Sequence, residues 1–451
     1  MRLVLISTLA LAGWGCSFYA PTIADCTVRC GEGGACPADF SCRGVFCRPT
    51  SGSASDCSCG AGSTRSCGTD EGECVAGHET CSPAGEWGGC EGAVGPAPEV
   101  CDGKDNDCDG LVDLGPARLV IDGETGPYEG VWRLVASDAG YTMVAPRKVA
   151  DGGAEFHSFY FAPDLTPRGE SQAITTGWKR VIPTLDGDDV LVSYFVGAGD
   201  AELSRVSRSG QVTRLAYIPD AGVDSRMQLG RGPSGLVSMW VSTDATVRVA
   251  KWDLDAGTAS LRDLPKLPGG EIYWVDATSD GQFAIIEANA DDGGVIDAVH
   301  HVDEATPRTV TAPYWMNEPF HTRDGLVTHL DIVTFTQKEV IFYYDYAAQR
   351  SQDYFNVERE GNWSNSDFML DEHQDVVGVY VNDATQRMVF ARVEGRTYSD
   401  LQATRRVAED VAFPTAAYSG NVHLARVPGD PMFGVFWSTR TSVYARRFCA
   451  P

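Results

Sequence analysis

A chain of 451 residues with 43% hydrophobic and 10% aromatic content is globular and too long for one ordinary core, so two or more domains are expected. Its 62 acidic against 36 basic residues leave a net charge of −26, which argues against nucleic acid and anionic lipid surfaces as partners, since both demand a Lys/Arg excess. That charge selects no partner of its own; a solvated acidic surface accounts for it.

The chain opens with Arg2 and an apolar run of ten residues from Leu3 to Ala12. This is too short to span a bilayer and of the right length for a signal-peptide core. The following Gly13-Trp14-Gly15-Cys16-Ser17 resembles the lipobox of bacterial lipoproteins, which implies loss of residues 1–15 and acylation of Cys16 as the mature N-terminus. Gly13 stands where Leu is usual, and Trp14 is bulkier than the pattern. Plain secretion after cleavage at Ala24 is the alternative. Several acyl chains would anchor the protein stably, because each buried CH₂ adds ~0.8 kcal/mol. The expected address is therefore the bacterial cell envelope, at the outer membrane or cell surface, with the membrane touched only through the lipid.

Cysteine usage agrees with an oxidising compartment. Of 15 cysteines, Cys16 stands alone, five lie between Cys26 and Cys47, eight between Cys57 and Cys108, and Cys449 closes the series. With Cys16 set aside the number is even. If the block of eight pairs internally, one cysteine of the block of five must seek Cys449, tying the C-terminus back to the cysteine-rich head.

Residues 16–56 comprise the lipidated N-terminus, a small knot over 26–47 and a Pro/Gly/Ser/Ala linker. Residues 57–116 form a second module rich in Gly and poor in aliphatics. Neither can bury enough apolar surface to fold unaided, so cross-links and metal are expected to hold them. Within the second module, Asp105, Asp107 and Asp109 alternate, Gly110 follows and Asp113 closes the run. Calcium takes six to eight hard oxygens, and loops that hold it place carboxylates at positions 1, 3, 5 and 9, a carbonyl at 7 and glycine at 6. This predicts a calcium site of Asp105, Asp107, Asp109, Asp113 and the Leu111 carbonyl. Position 12 is Pro116 rather than a bidentate Glu, which leaves Asp102 or Glu99 to complete the shell and points to micromolar or weaker affinity. The plain alternative is an Asp/Asn/Gly surface turn.

Residues 57–113 resemble the MopE-type metal-binding motif family, found in cysteine-rich heads of bacterial surface and secreted proteins. The resemblance rests on Cys57-Ser58-Cys59, Gly72-Glu73-Cys74, Gly85-Glu86-Trp87-Gly88, Cys90-Glu91-Gly92, Pro98-Glu99-Val100-Cys101-Asp102-Gly103 and Asp105-Asn106-Asp107-Cys108-Asp109-Gly110. It implies metal, sometimes copper, and no particular reaction. Leu114 stands where an acidic residue is usual. Copper or zinc prefers thiolate and imidazole, and this region offers only His78 and cysteines expected to be oxidised, so calcium is favoured over copper.

From 117 to 451 cysteine disappears until Cys449, and apolar or alternating runs recur between Asp/Gly/Asn turns. They begin at Tyr141, Val190, Leu236, Phe283, Leu326, Val376 and Phe433, spaced 49, 46, 47, 43, 50 and 57 residues apart. A unit of that length with about four strands is a β-propeller blade, and seven units predict a seven-bladed propeller in a mainly β protein. The last unit stops at its third strand, 443–448, and segment 118–122 could supply the missing outer strand, removing two exposed edges. Six or eight blades, or a pair of β-sandwiches, are the alternatives.

No catalytic constellation emerges. His300 and His301 are adjacent on a strand and point to opposite faces. His321 and His329 lack carboxylates at catalytic spacing. Glu372-His373 lacks a second histidine, and Gly232-Pro233-Ser234-Gly235 is not a nucleophile elbow. Asn362-Trp363-Ser364 is a formal sequon in what reads as a bacterial chain. The sequence thus predicts a monomeric, non-enzymatic surface protein whose stabilised head presents a propeller to a protein, peptide or glycan. A secreted propeller enzyme (hydrolase, lyase or oxidoreductase) and a copper-acquisition protein are the alternatives.

Overall fold

The structure is a computed structural model that describes residues 27–51, 58–121 and 133–450 apart from short connecting segments. For the strands between 315 and 358 and for Thr404–Ala412 the description is one of backbone and register. The chain divides into two compact units, one of Met1–Pro98 with Asp105–Gly110, the other of Glu99–Lys104 with Leu111–Pro451.

The first unit is held by sulfur. Its strands are four residues long: Phe40–Arg43 pairs with Phe46–Pro49, and Thr64–Cys67 with Gly77–Thr80. Cys30–Cys42 and Cys36–Cys47 close the knot, while Cys59–Cys81, Cys67–Cys90 and Cys74–Cys108 close the second module. Besides cysteines, Phe46 is the one buried hydrophobic residue among the described residues of this unit. A body without an apolar core needs covalent restraint of its unfolded ensemble, and five bridges supply it. Arg65 stacks over Trp87 at 4.3 Å from the ring centre and pairs with Glu79 at 2.5 Å. Trp87 is thus a packing anchor.

The second unit is a seven-bladed propeller. Six four-stranded antiparallel sheets follow one another in simple order over residues 133–176, 182–218, 228–263, 270–310, 315–358 and 363–412. The seventh combines Tyr418–Arg426, Met432–Thr439 and Val443–Cys449 with Arg118–Ile121 as its outer strand. The segment expected to close the ring does so. Pairing extends beyond it: Gly115 donates its N–H to the Arg447 carbonyl at 3.0 Å, and Cys449 to the Asp113 carbonyl at 3.0 Å.

Burial grades across each blade. The seven runs noted in the sequence are the second strands, and among those whose burial is described they are buried on both faces, as in Gly235–Val241 and Phe283–Ala290. Each is sandwiched between neighbouring blades, so it reads as a continuous apolar run rather than an alternation. The described outer strands are more exposed: Thr258–Asp263 carries no buried residue, and Val212–Ile218 buries only Ala216 and Ile218. The core is accordingly a series of layers between blades: Leu191, Phe195, Met227 and Trp240 fill one, Tyr141, Phe161, Phe436 and Val443 another. Packing there is tight enough to require glycine at 434, where a Cβ would lie 2.6 Å from the Tyr141 ring.

Cys449 bonds to Cys101. The partner comes from the block of eight and not from the block of five, because that larger block does not close on itself. Both cysteines belong to the propeller unit, which places the bridge beside the strand pairing just described. Cys16, Cys26, Cys57 and the expected signal peptide lie outside the described residues. No helix among the described residues is long and apolar enough to cross a membrane.

Candidate metal centre and channel

In the first unit, Asp105 anchors the acidic loop. It is 7% exposed, and its two carboxylate oxygens accept the N–H groups of Asp109 (3.2 Å) and Gly110 (3.0 Å). Its carbonyl accepts the Glu73 N–H at 2.9 Å. Gly72 makes this approach possible: at φ +58°, a Cβ there would sit 2.3 Å from the Asp105 carbonyl oxygen and 2.6 Å from its carboxylate. The Cys74–Cys108 bridge fastens the two segments together.

Carboxylate oxygens of Asp105 and Asp107 come within 4.8 Å of one another. Asp109 is exposed. Glu71, which the sequence reading missed, presents its carboxylate at this loop: a Cβ on Gly110 (φ +88°) would meet Glu71 Oε1 at 3.1 Å. The signal for it was present in the acidic turn Asp70-Glu71-Gly72-Glu73, but nothing in spacing says which of these acids the bridge brings round.

Leu111 and Asp113 belong to the propeller unit. Leu111 packs against a cluster that includes Val377, Phe390 and Phe448. Asp113, at φ +57°, accepts the Asp102 and Gly103 N–H groups on Oδ1 at 3.1 and 3.0 Å. Glu99, in the same unit, is 5% exposed.

All the grouped donors of the first-unit loop are carboxylate oxygens, the donor set of a hard divalent cation. The sulfurs of Cys30, Cys36 and Cys47 also lie close together, but all three are bonded in disulfides and are not thiolate ligands. His78 is exposed, with Nε2 4.0 Å from the Glu91 carboxylate.

In the propeller unit, the first strands of the blades touch in succession around a central cavity of about 520 Å³. Among the described residues, six blades line it. Its walls mix apolar groups such as Leu134, Leu185, Leu229 and Phe368 with Gln228, Asp276, Asp367 and His423. Gln228, Asp276 and His423 are each more than nine-tenths buried. The Asp367 carboxylate accepts the Leu424 N–H at 2.6 Å and lies 3.5 Å from His423 Nδ1. Arg426, also at the wall, is held by Glu372 and by the Asp430 carbonyl at 2.6 Å. Gln228 Nε2 is buried and has no hydrogen-bond acceptor.

His300 is fully buried between blades, its Nε2 3.4 Å from Arg262, while Arg262 donates to the carbonyls of Val302 (2.7 Å) and Glu304 (2.9 Å). Burial, reinforced by the Arg262 charge, pushes the His300 pKa down to about 4. His301 turns to the other face against the Phe283 ring at 4.9 Å. The side chains of His321 and His329 lie outside the description.

No protein-family model matches the chain, and comparison with curated proteins gives no match. Solved structures do resemble it. A chain of a mitotic checkpoint complex crystal structure aligns over 81% of this chain and 99% of its own, at 12% identity and TM-score 0.50. The Cps50 (Swd1) β-propeller domain of Myceliophteria thermophila aligns over 73% and 99%, at 8% identity and TM-score 0.48. The likeness is one of fold alone.

Proposed function

We propose that this chain is an exported bacterial envelope protein, lipid-anchored through Cys16, whose head is rigidified by disulfides and one calcium ion and whose propeller binds an external ligand without chemical turnover. The observation that carries the reading is a head with five internal bridges and almost no apolar core. Such a body forms where thiols oxidise, outside the cytosol.

Asp105, Asp107 and Asp109, joined by Glu71, would hold the cation. Binding only to the folded head stabilises it by mass action, about 2.7 kcal/mol at a hundredfold excess of ion over Kd. All-oxygen donors support calcium over copper. The MopE-type resemblance supports the metal role.

The test is elemental analysis of purified protein with thermal melts before and after EDTA. About one calcium per chain, and a lower melting transition after chelation that Asp107→Ala reproduces, are expected. Identical melts with no ion bound would remove the metal from the reading. Export is tested separately: Cys16→Ala should move the protein from the membrane to the soluble fraction of its host, and an unchanged distribution would refute the anchor.

A further inference from the structure

We propose that the central cavity of the propeller is a saccharide-binding site read by Gln228, Asp276 and Asp367. This deepens the binding role proposed above and rests on it, but not on the head's metal or on the lipid anchor.

A channel formed by seven converging strands has no structural need for buried polar side chains, because each one costs free energy unless something pairs with it. Yet Gln228 stands at this wall more than nine-tenths buried, and its amide nitrogen has no acceptor. An unanswered buried amide at a cavity wall is a demand on a ligand. A volume of about 520 Å³ fits a small molecule rather than a folded partner.

The ligand's chemistry follows from the two kinds of group it must meet. Asp276 and Asp367 each accept a backbone N–H and keep further carboxylate lone pairs, so a ligand that donates is matched there. Gln228 donates through Nε2, so the ligand must also accept. A hydroxyl does both, and it would satisfy the glutamine amide in either orientation. An amine satisfies the carboxylates and leaves Gln228 unmet. An anion faces Asp276, Asp280 and Asp367 against Arg133 and Arg426, and Arg426 is already held by Glu372, so the wall favours a neutral ligand. A compact polyhydroxyl with an apolar ring face, set between Leu134, Leu185, Leu229 and Phe368, meets both demands.

The experiment is saturation-transfer NMR on the purified, oxidised full chain, with glucose, galactose, mannose, N-acetylglucosamine and their β-1,4-linked disaccharides as probes, and a trilysine peptide as the cationic competitor. At least one sugar should show transfer, and Gln228→Met and Gln228→Glu should each weaken it about tenfold or more, the loss of one buried hydrogen bond to a ligand. Melting curves establish that both variants are folded; should either fail, Asp367→Asn replaces it, since an amide oxygen still accepts the Leu424 N–H. Sugar binding unchanged by these substitutions overturns the proposal. So does binding of trilysine with no sugar bound, or no binding of any probe. Failure here with a calcium-dependent melt intact rejects only the sugar site, whereas a metal-free head with sugar bound rejects only the metal.

Discussion

His300 shows how one side chain can give a propeller a pH limit. In the unfolded chain its imidazole titrates near 6.5, and in the fold near 4, so the unfolded state holds more protons between these values. The stability contributed by a neutral His300 is complete above about pH 6.5 and is lost as pH falls toward 4, by roughly 3 kcal/mol at most. Thermal melts of wild type and His300→Gln across pH 4 to 7 should converge as acidity rises; parallel curves would show that the histidine does not titrate this way. Gly72 makes a second residue-scale claim. Ala there would drive a methyl into the Asp105 carbonyl at a left-handed φ, so Gly72→Ala should destabilise the head by about 2 kcal/mol or more. Limited proteolysis of the 57–110 region reads this out. Asp105 and Asp107 were readable from alternation alone, whereas Glu71 was not, because a disulfide 34 residues long in sequence brings it to the loop. Gln228 was hidden for a related reason: its strand is packed between the first strands of the two neighbouring blades, which its own sequence does not show.

Among the elements, visibility in sequence followed burial. Second strands announced the repeat because, among those whose burial is described, neighbours cover both their faces. The described first strands, which line the cavity with mixed chemistry, and the described fourth strands, which are more exposed, carry no comparable signal. Arg118–Ile121 was found by a different argument, the need to complete a sheet that lacked an edge. Its energetic role is testable. Val120 and Ile121 are buried against the layer containing Tyr141 and Phe436, so Ile121→Ala should cost about 2–4 kcal/mol. Hydrogen exchange should then show loss of protection concentrated in Val443–Cys449, the strand to which it pairs. Uniform loss across all blades would argue that closure is not local to the seventh sheet.

At the scale of the molecule, the Cys101–Cys449 bridge reinforces the place where the two ends of the propeller sequence meet. The parity argument anticipated that Cys449 would be bound and misassigned its partner, because pairing within a block is not visible from spacing. Replacing both cysteines by serine should lower stability by about 2–5 kcal/mol, read as a lower melting temperature with blade seven opening first. Peptide mapping of the oxidised protein should recover the two in one fragment.

The same bridge constrains how the protein can be made. Cys101 emerges from a ribosome or an export channel 348 residues before Cys449, while nearer cysteines are already available to it. The outer strand of blade seven, Arg118–Ile121, has no pairing partner until Val443–Cys449 arrives, so the ring closes only after delivery is finished. Pulsed alkylation during oxidative maturation should therefore trap Cys101 and Cys449 as the final free thiols. A host catalyst that joins cysteines in order of appearance would misjoin this chain, so oxidative refolding should proceed faster with a disulfide isomerase present.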